Sequence, residues 1–179
     1  MLDVPKDIKE KAEGRQKFIF NGQEVYEWEQ NLEEVHVYMK PPKIVFKKYQ
    51  DELRKSLKPG EKFPELDIKI ESTHIRIGLK GTRPFIDEDL EKKISGSDSF
   101  WTLEDEELHL TLQKMYKAEV WPCVFKGHAA MDPATQNEIQ KKILLERFQE
   151  ENPGFDFSGA DINGMVPDPR TFMGGVKYS

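Results

Sequence analysis

The sequence contains a single cysteine, Cys123, and no long apolar run. One cysteine cannot form an internal disulfide, which suits a reducing compartment. No stretch approaches the roughly 20 apolar residues of a membrane helix, and the first ten residues lack the apolar core of a secretory signal. A chain of 179 residues is long enough to bury a core without disulfides or metal. We therefore expect a soluble, cytoplasmic protein.

Patterns that carry catalysis or metal binding are also missing. There is no G-x-S-x-G elbow, P-loop or G-x-G-x-x-G. The acidic run 104–107 lacks the spacing and turn glycine of a calcium loop, which favours a solvated turn. The four histidines do not have the spacing of zinc ligands. One histidine five residues after Cys123 does not make a nucleophilic thiol, so Cys123 is expected to be buried or inert. We predict a protein that is not an enzyme and needs no cofactor.

Acidic residues outnumber basic ones overall, but basic residues are concentrated in one segment. The formal net charge is −6, which argues against nucleic-acid binding because such proteins usually carry a basic surplus. From Lys40 to Lys62, however, eight basic residues face only three acidic ones. We predict no nucleic-acid or membrane partner for the chain, with a membrane or RNA contact by this segment as the alternative.

Alternating apolar residues are the dominant pattern and predict an all-β fold. Asn21-Gly22 lies between apolar residues and predicts a hairpin with a type I′ turn. Further strands are predicted at 33–39, at 66–79 around a turn, near 84–86, at 90–94 and at 100–112. No helices separate the strands apart from one insert, so we predict an antiparallel β-sandwich of seven or eight strands. Trp28 and Trp101 are predicted to fill its core.

Two segments have helical spacing instead. Within an insert at 43–62, the apolar residues fall three or four apart (Phe46, Tyr49, Leu53, Leu57), which predicts an amphipathic helix with a mostly basic polar face. Asp132-Pro133 is a good helix start, and an apolar stripe follows (Ile139, Ile143, Leu144, Phe148). That stripe packs either on its own domain or on another subunit, in a monomer or a homodimer.

These patterns divide the chain into four parts. We predict a polar N-terminal arm at 1–16, forming a short helix or a mobile segment. The sandwich follows at 17–128, and then the C-terminal helix at 129–153. An extended, partly disordered tail occupies 154–179.

Several stretches resemble one family. Tyr26–Val35 looks like the entry strand of the CS domain of NudC-type proteins, and His74–Gly81 is similar to that family's central strand and G-L-K-G turn. Trp101–Asp105 matches the W-T-L-E-D signature, and Trp121 matches the closing tryptophan. Leu145–Ala160 resembles the family's tail.

The resemblance implies a sandwich like that of the small co-chaperones of heat-shock protein 90. It also implies client binding without ATP, with suppression of aggregation and help for β-propeller clients such as the dynein regulator Lis1. A passive adaptor in dynein or cytoskeletal complexes is the alternative. Two departures stand out: the basic insert is not part of the usual domain, and the N-terminal arm lacks the long coiled coil of NudC itself.

Candidate partner-binding residues lie in three places. The G-L-K-G turn contributes Gly78, Lys80 and Gly81. The alternative for the two glycines is a structural role without partner binding, because glycine permits positive φ. The insert contributes Lys47, Lys48 and Arg54, and the C-terminal helix contributes Phe148.

Overall fold

The computed structural model describes residues 4–155, so the predicted tail from residue 156 onward lies outside the described residues. It contains eight strands and three α-helices. The strands are β1 (Gln16–Phe20), β2 (Gln23–Gln30), β3 (Glu34–Met39), β4 (Leu66–Ile70), β5 (His74–Leu79), β6 (Ile86–Asp89), β7 (Ile94–Glu104) and β8 (Glu107–Lys114). The helices are α1 (Lys6–Glu13), α2 (Lys47–Leu53) and α3 (Pro133–Glu151), and short 3₁₀ turns flank α2 at Lys43–Val45 and Arg54–Ser56.

The strands form two antiparallel sheets. One sheet has five strands in the order β1-β2-β3-β8-β7, and the other has three in the order β4-β5-β6. The predicted antiparallel sandwich with an inserted and a C-terminal helix is therefore confirmed. The predicted strand at 90–94 is wrong, because Leu90 makes only an isolated bridge with Phe125 and strand β7 begins at Ile94.

Hairpin turns fix the register of the five-stranded sheet. Asn21 and Gly22 have φ of 50° and 74°, which is the left-handed pair that a type I′ turn requires. Asp105 and Glu106 do the same between β7 and β8, with φ of 50° and 62°. The second turn uses two residues with side chains, where this conformation is disfavoured.

The core lies between the two sheets and follows the predicted alternation. Val35 and Val37 of β3 pair with Leu112 and Leu110 of β8, and all four are fully buried. Ile75 and Ile77 of the three-stranded sheet belong to the same buried cluster, which also includes Trp28, Trp121 and Phe125. Each of these side chains contributes roughly 1.5–3 kcal/mol of burial free energy.

A second, smaller cluster holds the two terminal helices. Ile139 and Ile143 of α3 are buried with Leu32 from the β2–β3 turn, and Ala12 of α1 packs against them. The backbone N–H of Leu32 donates to a Glu146 carboxylate oxygen at 3.0 Å. The central part of the α3 stripe thus packs on its own chain, and the N-terminal segment forms a helix beside it.

Candidate functional site

The insert is attached to the sandwich at the β7–β8 turn. Lys48 and the Tyr49 hydroxyl both contact the carboxylate of Glu106, and these contacts lower the pKa of Glu106. The predicted solvated turn at 104–107 therefore binds part of the insert. Farther along, Glu61 closes a tight turn by accepting from the Lys58 backbone N–H at 2.9 Å.

Between the insert and the sandwich lies an open cavity of about 940 Å³, which we call the insert cavity. Trp101 and Leu103 of β7 and Leu66 of β4 line it from the sandwich side. The other apolar lining residues are Val45 and Leu57 of the insert and Phe63 and Pro64 directly after it. The charged lining residues are Lys47, Arg54, Lys58, Lys62, Glu61 and Glu65. The cavity lining thus combines apolar and charged side chains.

Trp101 is not a core residue, and its predicted role was wrong. It pairs with buried Leu110 in the β7–β8 register, so its side chain is on the sheet face that elsewhere forms the core. Strand β7 is the edge of the five-stranded sheet, and Trp101 remains 39% exposed. Alternation assigns the face of a strand correctly but does not say whether the opposite sheet covers it.

The G-L-K-G turn lies beside the insert cavity. Lys80 donates from Nζ to a Glu65 carboxylate oxygen at 2.7 Å, and its backbone N–H donates to the Glu65 carbonyl at 2.9 Å. A Cβ on Gly78 would lie 2.8 Å from the Pro84 Cα, and Gly81 has φ of +77°. The backbone geometry therefore favours glycine at both positions, independently of any partner binding.

The seven candidate residues fall into separate groups. Lys47 and Arg54 line the insert cavity, and Lys80 joins them through Glu65. Lys48 is directed to Glu106 instead. Phe148 lies on α3, half-buried, in a different part of the fold. Of the seven candidates, the structure thus places only Lys47 and Arg54 in the cavity lining, with Lys80 paired to the lining residue Glu65.

Cys123, His36 and His109 each interact with neighbouring groups of the sandwich. Burial, followed by the negative charge of Glu91, raises the pKa of Cys123 to about 11, which disfavours a reactive thiolate. His36 and His109 pair across β3 and β8, with Nδ1 and Nε2 at 2.8 Å. Within residues 4–155, no cluster of three or more potential ligands is arranged to hold a metal ion. No helix in the same range is long and apolar enough to cross a membrane.

Comparison with known proteins identifies the class of this fold. Residues 24–114 match the family model of the CS domain. The chain is 33% identical over 141 residues to NudC domain-containing protein 2 of Homo sapiens and of Rattus norvegicus, covering 77% of this chain and 79% of each relative. It is also 27% identical over 164 residues to nuclear movement protein nudc of Schizosaccharomyces pombe, covering 74% of this chain and 90% of that protein.

The sandwich is therefore a CS domain. The chain belongs to the NudC family, and the resemblance seen in the sequence is confirmed.

Proposed function

We propose that this chain is a co-chaperone of the NudC type, which binds and stabilises client proteins without nucleotide. The observation that carries the proposal is the match of residues 24–114 to the CS domain. The single cysteine suits a reducing compartment, so we place this activity in the cytoplasm.

Exposed apolar surface supports a protein-binding role. Besides Trp101 in the insert cavity, Phe20 and Phe85 are 62% and 46% exposed. They line a second groove of about 530 Å³ between β1 and β6, together with Phe18 and Val25. Strands β1 and β6 are edges of their respective sheets. Concave apolar surfaces beside free strand edges can bind exposed apolar segments of other proteins.

The direct test is suppression of thermal aggregation. A heat-labile enzyme is warmed with increasing amounts of the chain, and light scattering is followed in the absence of ATP. We expect scattering to be delayed at equimolar chain and to be unaffected by added nucleotide. An unchanged scattering curve at a several-fold molar excess of the chain over the enzyme would refute the proposal.

Partner identity is tested separately. The family resemblance points to heat-shock protein 90 and to β-propeller clients such as Lis1 as the first candidates. Purified chain is titrated against each protein by calorimetry. A β-propeller protein without a link to nuclear movement is the specificity control.

A passive adaptor in dynein or cytoskeletal complexes is the second candidate function. The name of the Schizosaccharomyces pombe relative, nuclear movement protein nudc, favours it. An adaptor would bind its complex and leave the scattering of the heat-labile enzyme unchanged, so the aggregation assay separates the two functions.

A further inference from the structure

We propose that the insert cavity binds an acidic peptide segment that carries one large apolar side chain. This inference rests on the proposed function, because it specifies the chemistry of the protein segment that the chain would bind. The insert itself has no assigned role, and its cavity is the larger of the two apolar concavities described above.

The apolar half of this recognition comes from the sandwich. Trp101 is on the core-facing side of β7 yet is 39% exposed, and half-buried Leu103 lies two residues along the same face. Partly uncovered tryptophan in a concave surface is a typical anchor point for a partner's apolar side chain. Leu57 of the insert and Phe63, directly after it, line the same cavity.

The charged half comes from the insert. Lys47, Arg54, Lys58 and Lys62 line the cavity, and none of the four forms an ion pair within residues 4–155. The two acidic lining residues are already occupied. Glu65 binds Lys80 at 2.7 Å, and Glu61 accepts from a backbone N–H of its own turn. The lining therefore carries four basic side chains against two carboxylates, in a chain whose net charge is −6.

This charge arrangement selects an acidic partner. Arg54 is held near the apolar lining, with its guanidinium carbon 6.0 Å from the centre of the Phe63 ring. A carboxylate beside a bound apolar side chain would reach the exposed Arg54 or Lys58 and accept a charge-assisted hydrogen bond from it. Charge complementarity of this kind increases both specificity and association rate.

The shape of the cavity favours a peptide over a membrane or RNA. Its apolar side chains lie in a concavity, whereas insertion into a bilayer needs apolar side chains on a protruding face. Single-stranded RNA binding uses several aromatic rings along a basic track, and here only Trp101 and Phe63 are aromatic. A peptide segment with one apolar anchor side chain and flanking carboxylates matches both the apolar part of the cavity and its basic lining residues.

The test uses the full chain and a short fluorescent peptide of aspartate and glutamate residues with one central phenylalanine. Binding is measured by fluorescence anisotropy. We expect saturable binding that weakens as salt is added and that is weaker for the peptide with serine in place of phenylalanine. The double variant Arg54→Glu/Lys58→Glu should weaken binding by about tenfold or more, and Trp101→Ala should weaken it as well.

The matched control is Lys9→Glu/Lys93→Glu, which makes the same charge change at exposed positions outside both the insert cavity and the groove between β1 and β6. Because Arg54 and Lys58 are also exposed, both double variants should keep the wild-type circular dichroism spectrum and urea midpoint. Equal weakening by both pairs, or no binding by the wild type, overturns the inference. Tighter binding to phosphatidylserine vesicles or to single-stranded RNA, lost only in the Arg54/Lys58 variant, also overturns it, in favour of that ligand.

The aggregation assay distinguishes this inference from the proposed function. Wild-type chain that suppresses aggregation but does not bind the peptide contradicts only the inference. Chain that binds the peptide through the insert cavity but leaves aggregation unchanged contradicts only the co-chaperone proposal.

Discussion

Raising the pH from about 7 to about 9.5 is expected to stabilise the folded chain by about 2 kcal/mol through Lys114 alone. This side chain is only 3% exposed at the end of β8. Its Nζ donates to three neutral acceptors: the Asn31 carbonyl at 2.7 Å, the Glu119 carbonyl at 2.6 Å and the Gln30 side-chain oxygen at 3.1 Å. No carboxylate lies within ion-pair distance in residues 4–155.

Burial is the main cause of the shift. It lowers the pKa of Lys114 from 10.5 to about 8, and the more distant charges of Glu146 and Glu119 only partly oppose it. Between about pH 8 and pH 10.5, Lys114 in the unfolded chain still holds a proton that the folded chain has released. The free energy of unfolding therefore rises with pH in this window, and the burial penalty is fully present only below about pH 8.

Ionisation of Cys123 changes the free energy of unfolding in the opposite direction, so its contribution must be subtracted. Its pKa is raised from 9.0 to about 11, so the unfolded thiol ionises first and stability falls above about pH 9. Wild type and Lys114→Met share this thiol, and the difference between their pH responses isolates Lys114. Lys114→Gln is the second variant, because its amide still donates hydrogen bonds to the neighbouring acceptors.

The assay is urea unfolding under reducing conditions, followed by tryptophan fluorescence at both pH values. We expect the pH-dependent gain to be about 2 kcal/mol larger in the wild type than in either variant. The same gain in all three proteins would show that Lys114 keeps its proton throughout the range, and the reasoning would be refuted.

Three further perturbations test the packing and the attachment of the insert. Ile143→Ala should cost about 2–5 kcal/mol, because it opens a cavity where α3 meets the sandwich; an unchanged urea midpoint would contradict this packing. Gly78→Ala should cost about 1–3 kcal/mol through the clash with the Pro84 backbone, measured in the same way, and Gly154→Ala, whose added Cβ meets nothing within 4 Å, is the control expected to stay near wild type. Tyr49→Phe should leave the urea midpoint nearly unchanged but increase proteolysis within 43–62, because it removes a contact with the β7–β8 turn; equal cleavage rates would argue against that attachment.

Much of the sandwich was predictable because its signals are local. Asn21-Gly22 specifies its turn through backbone conformation alone, and the alternation in β3 and β8 reflects which side chains face the core. Asp132-Pro133 predicted the start of α3, where Asp132 accepts from the Thr135 backbone N–H at 2.9 Å.

The insert cavity was not predictable because it depends on contacts far apart in sequence. The basic helix of the insert was evident, but its attachment to Glu106 joins residues 57 positions apart. The exposure of Trp101 depends on how far the three-stranded sheet extends over β7. The one available signal was the coincidence of an extra basic helix and an apolar W-T-L strand in the same chain.

The position of the insert also has an evolutionary consequence. It occupies the connection between β3 and β4, which passes from one sheet to the other. Each doubling of such a loop costs only about 0.6 kcal/mol of closure entropy, and no residue of α2 belongs to the buried core. The sequence of this segment can therefore change without removing any side chain from the buried core, so selection can act on this loop while the CS domain keeps its fold.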